Sequence, residues 1–199
     1  MYVPKHFAED DPDRLAALIA EHDFAVLFTD GATGPFATHL PLLLDRGRGA
    51  KGTLIGHVAR ANPHWKTFDG RRGLAVFAGP HAYVSPRWYE AAPAVPTWNY
   101  VAVHATGTLR AVEDPVALRA ILERMTARYE GEDGWRLGAL DEKFTAAMMR
   151  GIVGVELAIE LLEGKLKLSQ NRSAADRAGV VEALADHPLA AAMRASEPD

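Results

Sequence analysis

From Asn99 to Val112 the chain alternates without a break: Val101, Val103, Ala105, Gly107 and Leu109 on one face, Ala102, His104, Thr106 and Thr108 on the other. A period of two over that length predicts a long, half-buried β-strand. Gly107 inside it predicts a bulge or bend, as in a barrel. Apolar runs at Phe24 to Thr29, Phe36 to Leu44, Thr53 to Val58 and Leu74 to Ala78 predict further strands, with a returning strand at Ala82 to Ser85 after a Gly79-Pro80 bend. Val153 to Leu162 alternates again, and Glu163-Gly164 reads as the turn that closes it. The strands follow one another instead of alternating with helices. That order predicts a mainly β, antiparallel barrel or sheet with peripheral helices (α+β), not a doubly wound fold.

Helix starts lie mostly outside this block. Asp11-Pro12 and Asp114-Pro115 each place an acidic cap before a proline at the first helical position. The first helix is expected to end near Asp23. The second carries a Leu118, Ile121, Leu122, Met125 stripe. Asp141 to Arg150 reads as a helix with Phe144 and Met148 apolar and its methionine pair in the core. Ser173 with Asp176 resembles a capping box, with a helix to about Ala185. The expected organisation is one domain over residues 1–185 and a polar tail over 186–199, frayed in part. Asp30-Gly31 and Gly34-Pro35 predict the first hairpin turn.

Composition narrows the chemistry. The 199 residues contain no cysteine, which excludes disulfides, thiolate metal sites and cysteine nucleophiles. The formal charge of −4 argues against a broad DNA-binding surface, which works by neutralising phosphates. No run approaches the roughly 18 apolar residues of a membrane span, and the N-terminus has no apolar signal core, so a soluble, cytoplasmic protein is expected. The eight histidines form no metal-ligand pattern, and no metal is expected. Gly47-x-Gly49-x-x-Gly52 spells a dinucleotide fingerprint, but Thr53-Leu54-Ile55 after it reads as a strand where the fingerprint must open a helix. Arg46, Arg48 and Lys51 then belong to a solvated turn.

Two places invite a ligand. Tyr83 to Tyr100 holds two of the four tryptophans and three of the five tyrosines, with Ser85, Thr97 and Asn99 as directional polar groups. Flat rings plus a few placed donors suit a planar cofactor; a proline-rich surface loop held down by its own rings is the alternative. The second is the strand-to-helix junction at His57, Arg60, Asn62 and Trp65. Asn62 caps Pro63 there, and Arg60 beside a helix start suits a phosphate; a well-capped surface turn is the alternative. His39, next to Pro41, reads either as a site residue or as a solvated edge residue.

Six ordered segments together resemble one family. They are Tyr2-Val3-Pro4-Lys5-His6-Phe7, Ala37-Thr38-His39-Leu40-Pro41-Leu42, Gly56-His57-Val58-Ala59-Arg60-Ala61-Asn62-Pro63, Tyr83-Val84-Ser85-Pro86-x-Trp88-Tyr89, Val95-Pro96-Thr97-Trp98-Asn99-Tyr100 and Lys167-Leu168-Ser169-Gln170-Asn171-Arg172-Ser173. The chain resembles the PaiB family of FMN-binding negative transcriptional regulators, from Met1 to about Ala185. The resemblance implies an FMN-binding split β-barrel related to pyridoxamine phosphate oxidase, and a homodimer with flavin at the subunit interface. It implies a transcriptional regulator; a flavin-dependent oxidoreductase acting on a small molecule is the alternative. A barrel without flavin, acting by protein contacts, is a third reading. DNA binding has no support in charge or motif.

Within that resemblance, FMN places roles on residues. Arg60 and His57, or Arg172, are expected at the phosphate. Thr38, His39, Thr97 and Asn99 are expected at the ring edges and ribityl hydroxyls, with Asn62 at the junction beside them. Trp98 or Trp65 supplies a stacking wall, and Ser169, Gln170 and Asn171 donate, from the partner subunit or this one. The family pattern carries a longer, lysine-containing segment before Val95-Pro96. Here it is only Glu90-Ala91-Ala92-Pro93-Ala94, which implies a less positive site.

Overall fold

The computed structural model describes residues 1–31 and 34–196. The middle of the first hairpin turn and the last three residues of the expected tail lie outside the described residues. In chain order the elements are β1 (Ala8–Glu9), α1 (Pro12–Glu21), β2 (Phe24–Gly31), β3 (Gly34–Pro41), β4 (Leu43–Asp45), β5 (Thr53–Ala59), β6 (Arg72–Val84), β7 (Thr97–Val112), α2 (Pro115–Glu130), α3 (Glu142–Met149), β8 (Ile152–Lys167), α4 (Ala174–Leu184) and α5 (Pro188–Arg194). Short 3₁₀ turns fall at Lys5–Phe7, Pro63–Thr67, Pro86–Trp88 and Leu137–Ala139. The strand order is β3-β2-β6-β7-β8-β5-β4, with β1 paired to β8, and every strand pair of known register is antiparallel. The expected class, antiparallel β with peripheral helices, is the observed one.

The chain divides into two compact units, 1–18 with 78–103 and 163–199, and 19–77 with 104–162. In the larger unit, α2 buries Ile121 and Met125 against Ile55 of β5 and Val112 of β7. The Asp114 carboxylate accepts from the Ala117 N–H, as the Asp-Pro start requires. In the smaller unit, Val84, Val101, Leu166, Leu168, Val180, Leu189 and Met193 form the core. Apolar side chains removed from water in this way are the main stabilising term of each unit.

Several expectations need correction. Gly79-Pro80 does not turn the chain: β6 runs straight through it. Its ladder with β2 covers only Gly73–Val76. Pro80, which has no N–H to give, falls beyond that ladder and costs it no bond. Glu163-Gly164 does not turn the chain either. β8 continues to Lys167, and Gly164 pairs with Glu9. A Cβ on Gly164 would collide with Leu15 and Glu9, so the glycine serves close approach, not a turn.

Gly107 serves close approach as well. β7 passes it unbroken, and a Cβ there would overlap the Ala158 carbonyl oxygen of β8. The expected single strand over 36–44 divides at Leu42, whose N–H donates to the Asp23 carbonyl at 2.9 Å before β4 pairs with β5. Residues 188–194 are not a frayed tail but α5, with Leu189, Ala190 and Met193 fully buried. On α3, Phe144 and Met148 are exposed, at 51% and 57%, instead of buried. Arg48 is no free turn residue; it bonds the buried Glu156 at 2.8 Å.

Candidate functional site

In the larger unit the chain leaves β5 and turns at Asn62, whose side-chain oxygen accepts from the His64 N–H at 3.0 Å. Pro63 then opens a 3₁₀ turn, as a proline at the first position favours. That turn drives His64 inward until it is 1% exposed. Its Nδ1 lies 2.8 Å from Thr38 Oγ1 and its Nε2 2.7 Å from Thr29 Oγ1. Phe36 stacks on the imidazole at 4.5 Å, and Phe68 meets it edge-on at 4.9 Å.

One direction of proton donation satisfies every contact in this cluster. The Asn62 amide donates to Thr38 Oγ1 at 3.1 Å, and the Thr67 hydroxyl donates to the His64 carbonyl at 2.8 Å. Thr67 Oγ1 is then an acceptor for Thr29, 3.5 Å away. Thr29, having donated there, accepts from His64 Nε2–H, and Nδ1 accepts from the Thr38 hydroxyl. In this arrangement the imidazole is neutral with its proton on Nε2. Burial pushes its pKa below the ordinary histidine value, which favours the same state.

Around this cluster the expected residues divide. Thr38 and Asn62 are bonded to each other. His39 is exposed on β3, at the end of the strand order, with its ring 6.4 Å from Phe24. Trp65 donates from Nε1 to the Arg60 carbonyl at 2.9 Å, and the Arg60 guanidinium lies 5.5 Å from the indole centroid. That guanidinium is already engaged: it donates to Glu113 at 2.6 Å, to the Arg150 carbonyl at 2.9 Å and to the Ile152 carbonyl at 3.2 Å. His57 Nδ1 faces Met125 Sδ at 3.4 Å, and burial lowers its pKa.

In the smaller unit, alternation along β7 sends Asn99 inward and leaves Trp98 55% exposed. Trp98 stands beside two residues of β6: Tyr83, 46% exposed, edge-on at 6.1 Å, and His81 at 6.4 Å. Lys167, at the end of β8, donates to Thr97 Oγ1 and, at 2.7 Å, to the Trp98 carbonyl. Burial lowers the Lys167 pKa, and the neighbouring Lys165 charge adds to that.

Asn99 donates to Ser169 Oγ at 2.8 Å, while its buried Oδ1 has no partner among the described residues. An unpartnered buried acceptor costs free energy unless a water or ligand donor meets it. Gln170 folds back on its own loop, accepting from the Leu168 N–H at 2.7 Å. Asn171 is exposed, and the Arg172 guanidinium covers Tyr89 at 4.4 Å. Asn99 and Ser169 thus meet on the buried side of β7 and Trp98 stands on its exposed side, whereas Gln170 and Arg172 serve local structure.

His64, Lys167, Tyr83 and His81 were not singled out by sequence. Lys167 and Tyr83 lie inside motifs quoted above, so position in a motif was an available signal. His64 carried none beyond its place between Pro63 and Trp65. Among the described residues no three His, Asp or Glu side chains gather as a metal site, and no helix is long and apolar enough to cross a membrane.

Comparison with known proteins agrees over most of the chain. A family model described as “Putative FMN-binding domain” matches residues 1–161. The Bacillus subtilis (strain 168) “Protease synthase and sporulation protein PAI 2” is 36% identical over 188 residues, covering 92% of this chain and 89% of that protein. The uncharacterized protein AN0679 of Emericella nidulans is 30% identical, covering 91% of this chain and 89% of that one. Among solved structures, the flavocytochrome Anf3 from Azotobacter vinelandii superposes with a TM-score of 0.68 at 14% identity, over 89% of this chain and 78% of that one. The FAD and heme binding protein from Mycobacterium smegmatis gives 0.63 at 17% identity, over 86% and 78%. These two likenesses are of fold.

Proposed function

We propose that the protein binds FMN, on the premise that the chain belongs to the PaiB family, the family of the “Putative FMN-binding domain”. The observation that carries the reading is the exposed Trp98, with Tyr83 beside it and Lys167 anchored next to it on Thr97. FMN needs a flat apolar wall, donors for its ring edge and a cation for a phosphate of roughly −1.5 to −2 charges, by analogy with phosphorylated side chains. Trp98 offers the wall and Lys167 the cation. A nearby phosphate also favours the charged form of Lys167, opposing the shift that burial imposes. Thr97, which Lys167 bonds, supplies a hydroxyl beside it, while Asn99 and Ser169 bond each other on the buried side of the strand. Arg60, held by Glu113 and two carbonyls, is a poorer phosphate anchor than Lys167, and His57 faces Met125. Bound FMN would bring the redox chemistry that the side chains lack.

Titrating the purified protein with FMN tests this. Saturable binding with a perturbed flavin absorption spectrum is the expected result. Trp98→Ala should weaken it by about 10- to 100-fold, the order of one buried aromatic contact. No flavin uptake by the wild-type protein overturns the reading.

Two finer readings share this flavin site. The name of the PAI 2 relative, a protease synthase and sporulation protein, favours a regulator of transcription. A promoter-DNA mobility shift that depends on flavin occupancy would support it. Reduction of bound flavin by NADPH with turnover of a small acceptor would favour an oxidoreductase instead. We assign the active form to a cytoplasmic homodimer with flavin at the subunit interface. The exposed Trp98 and Tyr83 surface is what a partner would cover, and light scattering at twice the monomer mass is the expected measurement.

A further inference from the structure

A concave site lies in the larger unit, with Arg60 and Glu113 at its border. It is a cleft of about 550 Å³ lined by α2 and α3. That volume is within the usual range for small-molecule sites. Its apolar surface comes from Val116 and Leu118 on α2 and from Ala146 and Met149 on α3. Val116 is 78% exposed, a large cost for a residue with no other evident role.

The charged rim is uneven. Arg60 is neutralised by Glu113 at 2.6 Å, and Arg119 by Glu142 at 2.9 Å. Arg150, at the end of α3, has no carboxylate partner among the described residues; its side chain makes one long bond, 3.3 Å, to the Ala146 carbonyl of its own helix. Its guanidinium is exposed and can form a two-pronged bond to a carboxylate. The N-terminal end of α2 also reaches the cleft through Pro115 and Val116, but the Asp114 carboxylate already caps it, which leaves the surplus charge to Arg150.

An apolar floor and one surplus cation describe a single ligand chemistry. We propose that this cleft is a binding site for a small amphiphilic carboxylate, its chain on Val116, Leu118, Ala146 and Met149 and its head group on Arg150. A bare anion would leave the floor exposed, and a cation would meet Arg150. A polynucleotide needs many cations, and the cleft has one to spare. The Arg60–Glu113 pair borders the cleft and also touches Trp65, so occupancy has a direct contact path to the indole.

Calorimetric titration of the full chain with decanoate, acetate and decyltrimethylammonium tests the proposal. Saturable one-to-one binding of decanoate alone is expected. Arg150→Gln should weaken it by about tenfold, the worth of one partly exposed charged hydrogen bond, and Arg150→Lys by less. Ala146→Trp, which fills the cleft, should abolish it. FMN uptake should be unchanged in all three variants, which separates this site from the flavin reading. Absence of saturable decanoate binding overturns the proposal. So does equal binding of the ammonium amphiphile, or undiminished binding by a folded Ala146→Trp protein.

Discussion

The Asp176 carboxylate, at the start of α4, accepts from the backbone N–H of Glu90 at 2.9 Å and, with the same oxygen, from that of Ala91 at 3.0 Å. The capping-box reading had assigned this side chain to its own helix start. The Ser173 hydroxyl does cap the Asp176 N–H, at 3.1 Å. The Asp176 carboxylate instead reaches across 85 residues of sequence to fix the segment that is shorter here than in the family pattern.

Asp176→Ala should therefore act in two places. Two charge-assisted bonds to a buried acceptor are lost, a destabilisation of about 2–3 kcal/mol. Urea unfolding measures that. Limited proteolysis should also show a new cleavage near Glu90 to Ala94 that the wild-type protein resists.

His64 predicts a pH dependence of stability. Its folded pKa is lowered by burial, so the unfolded chain binds the extra proton first. The stability it contributes is complete above the unfolded value, about 6.5, and is lost as pH falls through that value toward the folded one. His57 is shifted in the same direction and by the same cause. Denaturation midpoints between pH 8 and 5 should fall with acid, and His64→Gln should flatten only part of the slope, because His57 supplies the rest.

Glu156 governs a lower range. Burial works to raise its pKa, but bonds from Arg48 at 2.8 Å and Arg110 at 2.6 Å outweigh that and lower it. Its contribution is present above about pH 4.5, the ordinary carboxylate range, and is lost below. Glu156→Gln should cost about 1–2 kcal/mol at pH 7. The value is modest because both arginines remain half in water and need no new partner. It should also weaken the acid dependence near pH 4, measured by thermal melts.

Gly107→Ala tests the closest backbone approach. Its Cβ would overlap the Ala158 carbonyl oxygen, part of a paired strand that cannot step aside. A loss of at least about 3 kcal/mol, at the upper end for overpacking, is expected from chemical denaturation.

Much of this architecture could be read from local chemistry. Asp-Pro pairs started α1 and α2, Ser173 capped α4, and the alternation of β7 gave the buried positions from Val101 to Leu109 correctly, though not the buried Val112, which breaks it. The errors share one cause. Gly79-Pro80 and Glu163-Gly164 carry strong local turn signals, yet strand pairing and close packing decided both. Phe144 and Met148 look like core residues on composition, but nothing local says which side of α3 faces water. At the site, Thr38 and Asn62 were legible as a motif. The His64 ring they surround was not, because its hydrogen-bond partners, Thr29 and Thr38, come from β2 and β3, far from it in sequence.

Gly107 also limits how β7 can lie against β8 at all. Shift the strand by one residue and every side chain turns to the wrong face; shift it by two and Ala105 or Leu109 is brought to the Ala158 carbonyl. Either carries a Cβ where only a hydrogen fits. The long alternating stretch, whose pattern alone would tolerate a two-residue slide, is thereby left with a single phase. A missing side chain, more than any contact made, tells this strand where to stop.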